Sequence, residues 1–389
     1  MKRNVMLMVP LLDQGGLERI CAMTAKLLTP HCHLTLVVFS TKGMIYDVDG
    51  VDMIDLNLGS VPGKVGKAVN LCKRIRAIKK IKRERNIEIT YSFGPTANLA
   101  NVFTRVRDKI WVGIRGYGAL QDKNSMKRLC RRADRVICCS KVMADDVKTQ
   151  FGAKDVVCVY NPCDVESIRR LAKEPLPADS QKFFDTGAPV VAAMGREHDV
   201  KGFWHLIKAF ALAKKKIPAL KLMIMGEGTF AEYRKLAEDL QVEQDVWFTG
   251  VQKNPFAYLK QASLFVMTSV SEGFPNSLIE AMAVGTPAMS VNCKTGPAEI
   301  FLDDYRKGGD EHTVIEGEYG VLLPVINSKK NLDASVIEKE EKIMAEQMVS
   351  MLENTKKLEY AGNVSEARAC FFNGQNYCKK LLDMIYERE

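Results

Sequence analysis

The chain has 389 residues, 47% of them hydrophobic, with a formal net charge of +9. That length is about two ordinary domains, and no apolar run approaches the roughly 20 residues a membrane-spanning helix needs. Eleven cysteines without a C-x-x-C, and five histidines without an H-x-x-x-H, argue against a disulfide scaffold or structural zinc and for reduced thiols in the cytoplasm.

The start, MKRNVMLMVPLLDQGG, has a basic end and a short apolar run that imitates a leader. Asp13, Gly15 and Gly16 follow it in place of a small-residue cleavage site, so it reads as a first buried strand. Further strands are expected at His33–Ser40, Val51–Leu56, Ile87–Phe93, Lys109–Gly116, Arg135–Ser140 and Val156–Pro162, most of them separated by amphipathic segments. Near-continuous apolar strands alternating with helices predict a parallel sheet covered on both faces. Asn161 to Ala188, with Pro162, Pro175 and Pro177, has little strand pattern and is the expected linker. A second alternating series then runs through Pro189–Arg196, Lys221–Gly228, Val246–Gly250, Leu264–Ser269, Thr286–Asn292 and Tyr319–Pro324. After Asp333 the pattern is helical, ending in an amphipathic stretch from Phe371 to Arg388. Two doubly wound α/β domains follow, with ligands expected at the carboxyl ends of the strands.

Glycines, cations and acids sit at those strand ends. Gly15 and Gly16 allow close backbone approach just before a helix N-terminus, but the dinucleotide fingerprint G-x-G-x-x-G is missing, which disfavours a dehydrogenase. Arg196 and Lys201 leave the first strand of the second series five residues apart, close enough to share one diphosphate; a solvated strand-end pair is the plain alternative. His198 between them reads as a loop histidine. Gly226 and Gly228 follow the next strand, and Gly250 with Val251 could offer backbone groups to a nucleobase edge. The segment EGFPNSLIEAMAVGTP (Glu272–Pro287) is the richest. Glu272 lies in a loop and Glu280 one turn into a helix. Between them Gly273, Phe274, Pro275, Asn276, Ser277 and Leu278 can present several N–H groups outward as a phosphate cradle. Ser277-Leu278-Ile279-Glu280 is equally an S-x-x-E capping box that only starts a helix.

Read in order, Gly-Arg, Lys-Gly, Gly-x-Gly, Phe-x-Gly, Glu-Gly-Phe and Glu-Ala-Met-Ala-x-Gly-x-Pro strongly resemble glycosyltransferase family 4. GGLER near residue 15 and VICCS…NPCDVESI extend the resemblance through the first half. It implies a retaining enzyme of the GT-B fold, with two Rossmann-like domains facing a cleft and a C-terminal helix packing back towards the first. The expected boundaries are 1–165 for the acceptor domain, 166–370 for the nucleotide-sugar donor domain and 371–389 for the returning helix. It also implies roles. Arg196 and Lys201 would neutralise the donor diphosphate, Glu272 would hold donor-sugar hydroxyls, and Glu280 the ribose. The amides of Gly273–Leu278 would bind sugar and phosphates, and Gly16 would approach from the first domain. No D-x-D motif is evident, so metal independence is expected, with no separate cofactor. Thr295 stands where a second glycine is frequent in the family. A first-domain catalytic histidine is not obvious near Tyr91–Pro95; Tyr91, Ser92 or Arg115 could line that space.

Residues 1–160 carry 28 Lys and Arg against 14 Asp and Glu, whereas residues 161–389 carry 28 against 33, so the first half should meet something anionic. The excess concentrates in Gly63–Arg85. There Val65, Ala68, Val69, Cys72, Ile75, Ile78 and Ile81 recur near helical spacing, and Lys73, Arg74, Arg76, Lys79, Lys80, Lys82 and Arg83 crowd the other face. Lys127, Arg128, Arg131, Arg132 and Arg135 form a second cluster. Such a helix can lie on anionic lipid or simply cover a sheet with a solvated face. Nucleic acid is disfavoured, since no aromatic stacking platform accompanies the charge. The expectation is therefore hexosyl transfer from a nucleotide diphosphate sugar, preferably a UDP-sugar, to a saccharide acceptor. That acceptor would be polyprenyl-diphosphate-linked or in surface polysaccharide, and the enzyme cytoplasmic or peripheral at the inner membrane face. A nucleotide-sugar epimerase and a non-catalytic nucleotide-sugar binder are the alternatives.

Overall fold

Apolar strands dictate both sheets. In the computed structural model, which describes residues 2–13, 15–309 and 311–388, the chain forms two compact units, one of residues 1–162 with 373–389 and one of residues 163–372. The first holds β1 (Asn4–Val9), β2 (His33–Val38), β3 (Asp52–Asp55), β4 (Ile89–Phe93), β5 (Lys109–Ile114), β6 (Arg135–Cys138) and β7 (Val156–Cys158). All pair in parallel in the order 3-2-1-4-5-6-7, so the winding direction reverses between β1 and β4. One face packs under the helices Gly16–Leu28 and Gly374–Ile385, where Leu7, Val9, Tyr91, Phe93, Trp111, Tyr377 and Leu381 are buried together. The last helix is fastened there by Thr24 Oγ1 and Tyr377 OH at 2.7 Å and by Tyr386 OH donating to His31 O at 2.8 Å.

The second unit holds β8 (Val190–Met194), β9 (Lys221–Met225), β10 (Val246–Gly250), β11 (Leu264–Met267), β12 (Ala288–Val291), β13 (Ile315–Glu316) and β14 (Val321–Leu323). Their order is 10-9-8-11-12-14-13, parallel except for the antiparallel β13, which two residues are too short to announce in the sequence. Here the reversal lies between β8 and β11, and their carboxyl ends carry Arg196, Lys201 and Glu272.

Three expectations need correction. β7 stops at Cys158, well short of Pro162. The expected linker carries two helices, Val165–Leu171, capped by Asp164, and Ala178–Phe184. Phe371 closes the helix Thr355–Phe371, and the final helix starts at Gly374 behind its own cap, Asn373.

The basic helix Lys64–Glu84 is turned differently from its apolar pattern. Its inward seam is Asn70, Arg74, Ile78 and Lys82, one residue per turn. Arg74 donates to Leu58 O (2.8 Å from Nε) and Gly59 O (2.9 Å), and its guanidinium lies 4.4 Å from the Phe39 ring centroid. Lys82 Nζ is 2.7 Å from Asp108 Oδ2 and 3.1 Å from Asn101 Oδ1, with both charged side chains fully buried. Arg74 and Lys82 are thus structural, because loop carbonyls and a buried carboxylate beneath the helix need donors. Lys73, Arg76, Lys80 and Arg83 remain exposed, Lys79 half-buried, and Val65 and Val69 face outward at 78% and 49% exposure. No described helix is long and apolar enough to cross a membrane.

Candidate functional site

The β8 and β11 exits are stitched together by their own backbone. Thr268 Oγ1 donates to Lys201 O at 2.8 Å and Val270 N to Val200 O at 2.9 Å. Gly202, at φ +60, presses so closely on Thr268 O that a Cβ would come within 2.3 Å. His198 Nδ1 accepts from Val200 N at 3.1 Å and so caps the short turn Asp199–Lys201, a structural task. The result is one cation–carboxylate pair across the reversal point: Lys201 Nζ and Glu272 Oε1 are 2.6 Å apart, with side chains only 19% and 15% exposed. Arg196 is exposed and has no side-chain partner among the described residues. Structure therefore brings Lys201 and Glu272 together and leaves Arg196 exposed at the β8 exit.

The Gly-x-Gly after β9 has an internal reason. A Cβ on Gly226 (φ +151) would sit 1.9 Å from Gly195 O, and one on Gly228 (φ +148) would sit 2.3 Å from Glu197 Cβ. Both glycines make room for the loop leaving β8. Glu197 accepts from Phe230 N at 2.9 Å and so braces this turn, a role the sequence did not signal. Gly250 O accepts from Gly226 N at 3.0 Å and from Thr249 Oγ1 at 2.9 Å, so that carbonyl is engaged within the protein, while Val251 stays 57% exposed at the rim.

The helix after Glu272 spans Asn276–Ala283 and is entered through Pro275 with no side-chain cap. The S-x-x-E capping box does not form, because Ser277 already lies inside the helix. Asn276 and Ser277 are half-buried in the first turn, where the helix dipole favours an anion. Glu280 is buried in the same helix at 6% exposure. Phe274 and Leu278 turn inward, the Phe274 ring 5.3 Å from that of Phe372, so of these two only the backbone can serve a ligand. Pro275 is wedged against Gly296, whose φ of +100 no other residue adopts readily. Thr295, fully buried, donates its hydroxyl to Glu272 O. That bond is the second role hidden in the sequence; its only signal was a threonine where glycine is frequent. Cys293 lies nearby, and burial, with the Glu272 charge adding to it, pushes its thiol up, so it packs and does not react.

In the first unit Gly15 is the extended N-cap of the helix Gly16–Leu28, and Gly16 is exposed. A Cβ on Gly15 would meet the Glu18 carboxylate at 2.0 Å, so the chain's own acid folds over that helix end. Tyr46 OH donates to Gly15 O at 3.0 Å. Among the described residues no three His, Cys, Asp or Glu side chains are grouped to hold a metal.

Residues 177–357 match the family Glycosyl transferases group 1 and residues 14–167 match Glycosyltransferase Family 4. The chain is 32% identical over 200 residues to an uncharacterized glycosyltransferase of Methanocaldococcus jannaschii, a stretch covering 50% of this chain and 49% of that protein. It is 26% identical over 380 residues, 93% of each chain, to the N-acetylgalactosamine-N,N'-diacetylbacillosaminyl-diphospho-undecaprenol 4-alpha-N-acetylgalactosaminyltransferase of Campylobacter jejuni. The crystal structure of Anabaena HepE in complex with UDP superposes with a TM-score of 0.74 over 100% of both chains at 17% identity, a likeness of fold, GT-B. With each half matching its own glycosyltransferase module and the Campylobacter protein aligning along nearly the whole length, the chain belongs to glycosyltransferase family 4.

Proposed function

We propose that this glycosyltransferase moves a hexosyl unit from a UDP-sugar to a lipid-linked saccharide with retention and without a metal ion. The observation that carries the reading is the Lys201–Glu272 pair at the β8/β11 reversal, with Arg196 exposed at the β8 exit. Breaking a sugar–diphosphate bond leaves negative charge on the departing phosphate, and cations fixed beside it favour the transition state over the ground state. On donor binding Lys201 turns from Glu272 to the diphosphate, Arg196 adds its fork, and Glu272 is freed for the sugar hydroxyls. The first-turn amides at Asn276 and Ser277 take phosphate oxygens, and Glu280 takes the ribose. The acceptor oxygen then bonds to C1 on the face the diphosphate leaves, and its proton passes to the leaving phosphate, so no side-chain base is needed.

The HepE structure contains UDP, and the Campylobacter enzyme's named acceptor is a diphospho-undecaprenol saccharide; both support these substrate classes. Docking on an anionic membrane falls to Lys73, Arg76, Lys79, Lys80 and Arg83, with Val65 and Val69 entering the lipid boundary. The test is thermal shift with UDP, GDP, ADP and their sugar conjugates, followed by transfer assays. At 100 times its dissociation constant a ligand adds about 2.7 kcal/mol. Selective stabilisation by the uridine series, with transfer lost in Glu272→Ala and Glu280→Ala variants that keep the wild-type melting temperature, supports the proposal. Full activity in both variants refutes it, and donor epimerised without an acceptor identifies the rival enzyme.

A further inference from the structure

A second cation stands at the carboxyl edge of the first unit's sheet. Tyr91 and Phe93 of β4 share a face with Trp111 and Gly113 of β5, and Arg115 follows β5 on that same alternation. Gly113 is needed there: a Cβ would lie 3.2 Å from the Tyr91 ring. The ring is thereby seated so that its hydroxyl meets Arg115 Nη2. Arg115 Nη1 donates to Asn161 Oδ1 at 2.9 Å and to Val159 O at 3.2 Å, and the guanidinium lies 5.5 Å from the Phe93 centroid.

None of these partners is anionic. A phenol, an amide and a carbonyl receive three of the five guanidinium N–H groups, and the Nε–H is buried with no acceptor. Burial pushes the Tyr91 phenol well up, although Arg115 opposes this, and burial likewise raises Tyr377 beside it, so neither phenol supplies a countercharge near neutral pH. Taking a charge out of water is costly without an opposite charge, and a buried donor without an acceptor adds to the cost. The Tyr377 hydroxyl is a further neutral partner of the guanidinium, so the cation stands without a countercharge and with one donor, Nε–H, unsatisfied; a planar fork of donors suits an oxyanion.

We infer that Arg115 is a binding residue for a phosphate or diphosphate group of the acceptor, held at the carboxyl edge of the first unit. This rests on the transferase reading above, whose donor-phosphate cations lie in the other unit. The experiment uses the full chain in an Arg196→Ala/Lys201→Ala background, which strips the second unit of those cations. Isothermal titration with farnesyl diphosphate and with inorganic pyrophosphate then reads the first unit alone. Binding in this background, weakened about 10- to 100-fold by Arg115→Gln, is expected. Binding of farnesyl diphosphate alone marks a lipid source, binding of pyrophosphate alone a free phosphate source, and either supports the site. Arg115→Lys keeps the charge and loses the fork, so it should bind at least about tenfold more weakly; it also serves if the glutamine variant fails to fold. Affinity unchanged by both substitutions, or no binding of either probe in the background, overturns the inference. UDP binding to the wild type reads the donor site independently, so failure there leaves this test standing.

Discussion

Lys82 and Asp108 offer the sharpest test of the packing argument. Both side chains are fully buried, 2.7 Å apart, and Asp108 also accepts from Thr90 Oγ1 at 2.7 Å and Val106 N at 3.1 Å. Lys82→Met leaves a buried carboxylate without its cation, which costs about 3–5 kcal/mol. Lys82→Met with Asp108→Leu removes both charges and should return most of that loss. The assay is amide hydrogen exchange along Lys64–Glu84. The single variant should exchange about two to three and a half orders of magnitude faster than wild type, and the double variant much less so. Burial, opposed by the Asp108 charge, pushes Lys82 from 10.5 down to about 8. The unfolded chain therefore binds this proton more readily between about pH 8 and 10.5, and stability rises with pH across that window. The first unit's melting temperature should climb through that window in wild type relative to Lys82→Met/Asp108→Leu. Single-variant exchange within threefold of wild type, or a flat difference with pH, refutes the reasoning.

Thr295→Val removes the bond to Glu272 O and should raise the donor KM about five- to tenfold, with Thr295→Ser restoring it; steady-state kinetics decide. Gly226→Ala forces a Cβ to within 1.9 Å of Gly195 O and should cost more than about 2 kcal/mol, lowering the second unit's melting temperature by about 4–8 °C in a calorimetric scan. Replacing Lys73, Arg76, Lys80 and Arg83 by glutamine should weaken sedimentation with anionic vesicles about a thousandfold, at about 1 kcal/mol per charge. Equal binding of the wild type to neutral vesicles would rule out the electrostatic account.

The sheets were legible because buried parallel strands are nearly all apolar, as in Asn4–Val9 and Leu264–Met267. The paired acids and cations were legible because they sit at strand ends in a fixed order. What the sequence concealed was orientation. Apolar spacing in Gly63–Arg85 suggested an apolar inner face, yet the carbonyls of Leu58 and Gly59 and the Asp108 carboxylate demanded donors, and Arg74 and Lys82 turned inward. Likewise Thr295 and Glu197 act through contacts between loops distant in sequence, which no local pattern encodes.

The helix Gly374–Ile385 completes a core begun at Asn4, through contacts spanning more than 350 residues of chain. During synthesis the part of that core which Tyr377, Leu381 and Ile385 complete therefore stays open while all of the second unit is made. At ribosomal speeds of about 5–20 residues per second, that interval is roughly 10 to 40 seconds. The nascent first unit must spend it with an apolar surface open to misassociation, so its yield in the cell depends on what shields that surface until the final helix emerges.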